Sequence, residues 1–239
     1  MTRVTDTPRE RTAGVPAHSA LAAVLAAALA LTAGAGGPGA LAQERVGLEP
    51  VFHPSRLALD WTLDGSGEWA MEGDVLTLTT AGTPGGAIRR PGALAIFSGA
   101  EFGDVSMTVE VRSTAPMPDV TPNRDVLLVV GYQSPTRFYY VHISSRRDEV
   151  HNGIFLVDAA DRRRIDTRSD VTPLVDQAWH RARVERDATS GRIDVYFGDV
   201  AQPIMTATDT TLPHGRVGVG SFDDTAEFRR MRIRGHLVR

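Results

Sequence analysis

The chain has 239 residues, no cysteine, and 26 basic residues, all of them arginine, against 29 acids. A formal net charge of −3 excludes the broad basic face that a nucleic-acid partner would require. A chain without thiols must also hold its fold together by packing rather than by disulfides.

The first segment predicts export. Arg3, Arg9 and Arg11 precede an apolar run from Ala20 to about Ala33, and Ala40-Leu41-Ala42 supplies the small residues of a cleavage site. This is the layout of a secretory signal peptide, with the cut expected after Ala42 and a periplasmic or extracellular destination. The apolar run is shorter than the roughly 20 residues needed to cross a bilayer, so no integral span is expected in the mature chain. Residues 43–56 carry two prolines and no clear period, and read as a lead-in; residues 57–239 read as a single domain.

Period-two signals then dominate. In 104–113, Val105, Met107, Val109 and Val111 alternate with Ser106, Thr108, Glu110 and Arg112, the pattern of a half-buried strand. Similar runs occupy 74–80, 124–133, 137–144, 152–158, 179–186, 192–197, 216–222 and 228–234, separated by Gly, Pro, Asn and Asp clusters. No segment after residue 43 shows a sustained helical period. About ten to twelve strands without a repeat predict an all-β antiparallel sandwich or barrel. A hairpin is expected at 179–197, with Arg186 facing Gly191. That register sets Val184 opposite Ile193, Arg183 opposite Asp194, and Arg181 opposite Tyr196.

Several motifs carry a family likeness. They are Gly67-Glu68-Trp69, Gly73-Asp74-Val75-Leu76, Phe102-Gly103-Asp104-Val105-Ser106-Met107, Gly131-Tyr132-Gln133, Phe138-Tyr139-Tyr140-Val141, Trp179-His180-Arg181-Ala182-Arg183-Val184 and Arg216-Val217-Gly218-Val219-Gly220-Ser221-Phe222. Together they resemble the concanavalin A-like lectin and glucanase superfamily, in particular secreted laminin-G-like domains grouped loosely with family 16 glycoside hydrolases. The resemblance spans about Trp61 to Ile233. It implies an antiparallel two-sheet jelly-roll β-sandwich, with a ligand held on the concave face of one sheet.

On that expectation Val141, Ile143 and Tyr139 face the core, leaving Phe138, Tyr140, His142 and Ser144 on the ligand side. A sugar ring could stack on Tyr140 while His142, Gln133 and Asn152 bond its hydroxyls, with His151 and Arg124 as further candidates. The Glu-x-Asp-x-x-Glu strand of family 16 hydrolases is missing. Glu110 stands alone in its strand, so a catalytic carboxylate pair is not found. Arg124, Gln133, Tyr140 and His142 match the residue types of uronate polysaccharide lyases, but not their motifs. The function predicted is therefore a non-catalytic, secreted carbohydrate-binding domain. The alternatives are a polysaccharide hydrolase or lyase on the same fold, or a protein-binding module of the cell envelope.

No metal or cofactor is assigned. His142, His151 and Asp148 lack a recognised ligand spacing. The resemblance allows a structural calcium at Asp223-Asp224, but two carboxylates fall short of the six to eight oxygens calcium takes. The arginine runs Arg146-Arg147 and Arg162-Arg163-Arg164 are expected at opposite ends of one strand, roughly 25 Å apart, and so on separate solvated turns.

Overall fold

The computed structural model describes residues 45–50, 52–115, 124–169 and 173–238. The expected secretory segment, its expected cut after Ala42 and part of the lead-in lie outside the described residues. In chain order the described elements are β1 (Arg45–Leu48), helix α1 (Leu57–Asp60), β2 (Trp61–Gly65), β3 (Glu68–Glu72), β4 (Val75–Thr80), β5 (Ala93–Phe97), β6 (Phe102–Ser113), β7 (Asp125–Ser134) and β8 (Arg137–Ser144). They continue as β9 (Gly153–Asp158), β10 (Arg163–Arg164), β11 (Asp166–Ser169), β12 (His180–Arg186), β13 (Arg192–Phe197), β14 (Met205–Thr208), β15 (Arg216–Ser221) and β16 (Ala226–Leu237). None of these elements is a helix long and apolar enough to cross a membrane.

The strands form two antiparallel sheets. Sheet A runs β11-β14-β13-β12-β6-β16-β4-β3, with β1 added on β16, and sheet B runs β10-β9-β8-β7-β15-β5-β2. The alternation of β6 sets the core: Val105, Met107, Val109 and Val111 are buried, while Ser106, Thr108, Glu110 and Arg112 stay partly exposed on the outer face. Against them pack Val126, Leu128, Val130, Tyr139, Val141 and Ile143 of sheet B. Each such side chain contributes ~1.5–3 kcal/mol on burial, and this core stands in for the missing disulfides.

Sheet B is apolar on its other face too. Leu94, Ile96, Leu127, Val129, Phe138, Tyr140, Phe155 and Val157 form a second cluster there, packed against Ile88 and Phe222. Segment 81–92 reaches over this face. Arg89 N donates to Asp161 Oδ1 at 2.7 Å, Arg162 N donates to Arg89 O at 3.0 Å, and Gly92 N donates to Phe222 O at 2.9 Å. A strand covered on both sides reads as a continuous apolar run, which is the sequence of 126–130.

The β12–β13 hairpin corrects the expected register. Val184 faces Val195, Arg183 faces Tyr196 and Glu185 faces Asp194, a shift of two residues. The cause is the turn: Asp187 N donates to Arg192 O, and Gly191 takes the left-handed conformation inside the loop at φ 75°. A shift of two keeps every side chain on its predicted face and changes only its partner.

Candidate functional site

Three of the predicted ligand residues come together. Tyr140 lies opposite Phe155, with rings stacked at 5.2 Å, and His142 sits 6.3 Å from Tyr140 and 5.5 Å from His151 between ring centroids. The face is as predicted, but its accessibility is not. Tyr140 is fully buried and His142 is 1% exposed; Arg162 closes over Tyr140, and His142 stacks on Phe222. The Arg162 Nη1 donates to the Tyr140 hydroxyl at 3.0 Å, and its guanidinium lies 4.0 Å over the Phe222 ring. Burial pushes the Tyr140 phenol well above its ordinary range despite the nearby Arg162 charge. Tyr140 is thus a packed core residue of sheet B, and no sugar ring can stack on it in this conformation. His151 serves its own turn: its Nδ1–H donates to Asp148 Oδ1 at 2.7 Å, and that oxygen also accepts the backbone N–H groups of Val150 and His151.

The other three candidates do not join this cluster as ligand groups. Gln133 lies at the far end of β7, six residues from the strand position opposite His142, or about 20 Å away. There its Nε2 donates to His214 O at 2.9 Å. A bulge at Gly131, with φ 63°, breaks the alternation along β7 and turns Tyr132 onto the Leu127/Val129 face. Asn152 adopts φ 50° and is fully buried, with Oδ1 accepting from Ser144 N and Nδ2 donating to Ser169 Oγ. It shapes the start of β9. Arg124 is buried, and its Nη1 donates to Val175 O at 3.3 Å.

The arginine runs also need correcting. β10 folds back along β9, so Arg164 reaches the preceding turn and donates to His151 O at 3.1 Å, Asn152 O at 3.0 Å and the backbone O of Asp148. The turn holding Arg146-Arg147 and the run ending at Arg164 are therefore neighbours.

The open surface is the outer face of sheet A. A groove of about 870 Å³ runs across β6, β12 and β16, lined by Arg45, Ser106, Thr108, Glu110, Arg181, Arg183, Glu185, Arg230, Arg232 and Arg234, and by Gly198, Asp199 and Val200 of the loop after β13. Hollows of about 410 and 320 Å³ share lining residues with it at its two ends, one at Asp104 and His236 and the other at Trp179 and His180. From Asp104 to Arg112, β6 alone spans roughly 26 Å of this floor. A bulge in β16 between Arg229 and Arg232, with Arg230 at φ 52°, directs two successive arginines to one carboxylate. Arg229 Nε and Arg230 Nη1 donate to Glu110 at 2.8 and 3.1 Å. Burial alone would raise the Glu110 carboxyl; the two guanidiniums outweigh it and hold the group below its ordinary range. Across the hairpin Glu185 and Asp194 face each other, tied to Arg183 and Arg192 respectively at 2.6 Å each.

No protein-family model and no curated protein sequence matches the chain. Solved structures do match its fold. A carbohydrate-binding module, CBM66 from Bacillus subtilis, superposes with a TM-score of 0.56 at 16% identity, over 72% of this chain and 94% of that one. Winged bean acidic lectin, solved with methyl-α-D-galactose, gives 0.54 at 11% identity, over 82% of this chain and all of the lectin. The basic winged bean lectin, solved with Tn-antigen, gives 0.53 at 12%, over 81% and 99%. The chain has the two-sheet jelly-roll fold of these structures.

In this jelly roll the groove residues went unassigned in the sequence for a definite reason. Arg181, Arg183, Arg232 and Arg234 stand at the wet positions of their strands, where charge is ordinary. The signal that could have found them is their number: the groove-lining positions of three neighbouring strands are filled with arginine, Ser106, Thr108 and acids. That the strands are neighbours is known only from the sheet order.

Proposed function

We propose that this protein is an exported carbohydrate-binding jelly roll that holds an extended glycan along the outer face of sheet A. The observation that carries the reading is the continuous groove of about 870 Å³ with a hollow at each end, floored by guanidinium, hydroxyl and carboxylate groups. Arginine supplies donors in fixed planes, and Glu110, Ser106 and Thr108 supply acceptors, so a chain of sugar hydroxyls can be bonded along its length. The lectin and carbohydrate-binding module that share the fold support the same class of ligand, and the arginine excess favours an anionic glycan. The signal-like segment ending at Ala42 supports delivery outside the cytoplasm.

A non-catalytic role is supported by the spacing of the two acids on the strands that floor the groove; the third lining acid, Asp199, stands in the loop after β13 and is tied to Arg181 at 2.8 Å. Glu185 lies opposite Ser106, four residues along β6 from Glu110, so the two carboxylates sit about 13 Å apart. A retaining hydrolase needs about 5 Å, and an inverting one about 6.5–9.5 Å. One pair does favour a second reading. Glu185 and Asp194 are directly opposed across β12 and β13, which brings their Cβ atoms to about 5 Å. A hydrolase would use these two, although each is engaged by an arginine. Screening the mature chain against an anionic and neutral glycan panel tests the main reading. Binding that is weakened about tenfold in the double variant Arg232→Ala/Arg234→Ala supports it, and an empty panel sinks it. Release of reducing ends that depends on Glu185 would establish the hydrolase instead.

A further inference from the structure

The outer face of sheet A sorts its arginines into two kinds. Four of those lining the groove carry a counter-ion: Arg181 pairs with Asp199 at 2.8 Å, Arg183 with Glu185 at 2.6 Å, Arg230 with Glu110 at 3.1 Å and Arg232 with Glu49 at 3.0 Å. Arg45 and Arg234 are different. Neither guanidinium has an ion-pair or hydrogen-bond partner among the described residues. The two are also neighbours. β1 runs antiparallel to β16 with Arg45 opposite His236 and Gly47 opposite Arg234, which makes Arg45 and Arg234 a diagonal pair.

Alternation puts the pair on one face. Val46 and Leu48 pack against the core, which turns Arg45 and Gly47 outward beside the exposed Arg234. Diagonal positions across an antiparallel pair lie about 7–8 Å apart, so two arginine side chains can converge on one small group. The floor beside Arg234 is low on both sides, with Ser106 opposite it on β6 and Gly47, which has no side chain, opposite it on β1. Arg45, Ser106 and Arg234 line both the groove of about 870 Å³ and the hollow of about 410 Å³ at its Asp104 end, and so sit where the two join. The acids of that hollow are already engaged. Asp104 accepts from Ala188 N at 2.8 Å and from His236 Nδ1 at 3.1 Å, Asp187 accepts from Ser190 N at 2.8 Å, and Glu185 and Asp194 are held by Arg183 and Arg192.

We propose that Arg45, Arg234 and Ser106 form a subsite for an oxyanion substituent of the glycan, a uronate carboxylate or a sulfate ester, at the junction of groove and hollow. The subsite presupposes the glycan groove proposed above, and adds which chemical group is read there and by which residues. Two cations side by side on a sheet repel each other, and an oxyanion between them converts that repulsion into two charge-assisted contacts. The planar fork of a guanidinium matches the oxygens of a carboxylate or sulfate, and the Ser106 hydroxyl adds a donor. Arginines already paired with Asp or Glu have their forks occupied, so the charged group of the ligand is drawn to the two that are not. β1, only four residues long, thereby delivers one of the two cations. Local sequence does not single Arg45 out, because its partner stands on β16, far along the chain.

The test is calorimetry of the mature protein with two matched pairs of oligosaccharides: a galacturonate oligomer and its carboxyl-reduced counterpart, and a sulfated galactose oligomer and its desulfated counterpart. The parent is expected to bind the charged member of at least one pair about tenfold or more tightly than the uncharged member, and the pair that shows it tells carboxylate from sulfate. In Arg45→Gln/Arg234→Gln that preference should fall to about twofold or less. Arg137→Gln removes one charge on sheet B, where Arg137 pairs with Asp158, and should keep the parent's preference. Arg45 and Arg234 are exposed, so the double variant should unfold at the parent's midpoint. Equal affinity of the parent for both members of each pair overturns the subsite and leaves the groove reading standing, as does a preference that survives in the double variant. Binding of none of the four overturns the subsite as well, and the wider glycan panel then decides the groove by itself.

Discussion

Glu185 on β12 faces Asp194 on β13 across the hairpin, two carboxylates side by side on the wet face of sheet A, each held by its own arginine. Under the binding reading these acids shape the end of the groove and do no chemistry. Glu185→Gln then changes stability by no more than ~0.5 kcal/mol, because the lost ion pair and the relieved like-charge contact offset each other. Reducing-sugar assays should stay at background for the parent, Glu185→Gln and Asp194→Asn alike. Turnover in the parent that both variants abolish would make the domain a hydrolase.

Groove affinity should follow charge. Arg232 and Arg234 stand at outer positions of β16, and removing both should weaken binding of an anionic glycan about tenfold while leaving the fold within ~0.5 kcal/mol. The parent's affinity should also fall as salt is raised from 50 to roughly 500 mM, since exposed charges are screened beyond a Debye length of a few ångströms at that strength. Calorimetry at the two salt levels checks both; salt-independent binding would count against guanidinium contacts.

Tyr140 is a stability residue in this structure. Tyr140→Ala empties a packed site and should cost ~3–5 kcal/mol. Tyr140→Phe should cost ~1–2 kcal/mol, because Arg162 Nη1 loses its acceptor. Denaturant titration measures both. Folded Tyr140→Phe should bind glycan as the parent does, and lost binding with intact stability would return the ligand to sheet B.

Acid stability should depend on Asp209. Burial raises its carboxyl, but the hydroxyl and N–H of Thr211, the Tyr139 hydroxyl and Arg163 together hold it below the ordinary value. A carboxylate depressed in the folded state contributes stability above its unfolded value near 3.9, and that contribution disappears as the pH falls through the folded value. The loss therefore lies below about pH 4. Asp209→Asn should be less stable than the parent at neutral pH and show a shallower decline below pH 4, read from unfolding midpoints across the range.

Gly191 fixes the hairpin register. At φ 75° it occupies a conformation costly for other residues, and a Cβ there would come within 2.6 Å of Asp209 O. Gly191→Ala should cost ~2 kcal/mol or more, with loss of the Asp209 N to Gly191 O hydrogen bond visible in amide exchange.

By itself the sequence determined the all-β class and the face that each residue of β6, β8 and β12 would take. Burial selects one side of a pleated strand, and the side-chain period of two records that choice directly. Cysteine-free composition likewise determined that packing must carry the fold. The tertiary structure decided the rest. A two-residue slip preserves every face, so alternation could not distinguish Arg183 from Glu185 as the partner of Asp194; the glycine turn did. The Tyr140/His142 face looked wet because polar groups alternate there with apolar ones. Only the path of segment 81–92 and the placement of Arg162 reveal that it is covered. The groove exists because β6, β12 and β16 are sheet neighbours despite their separation in sequence, and the same distance in the chain hid Arg45 from Arg234.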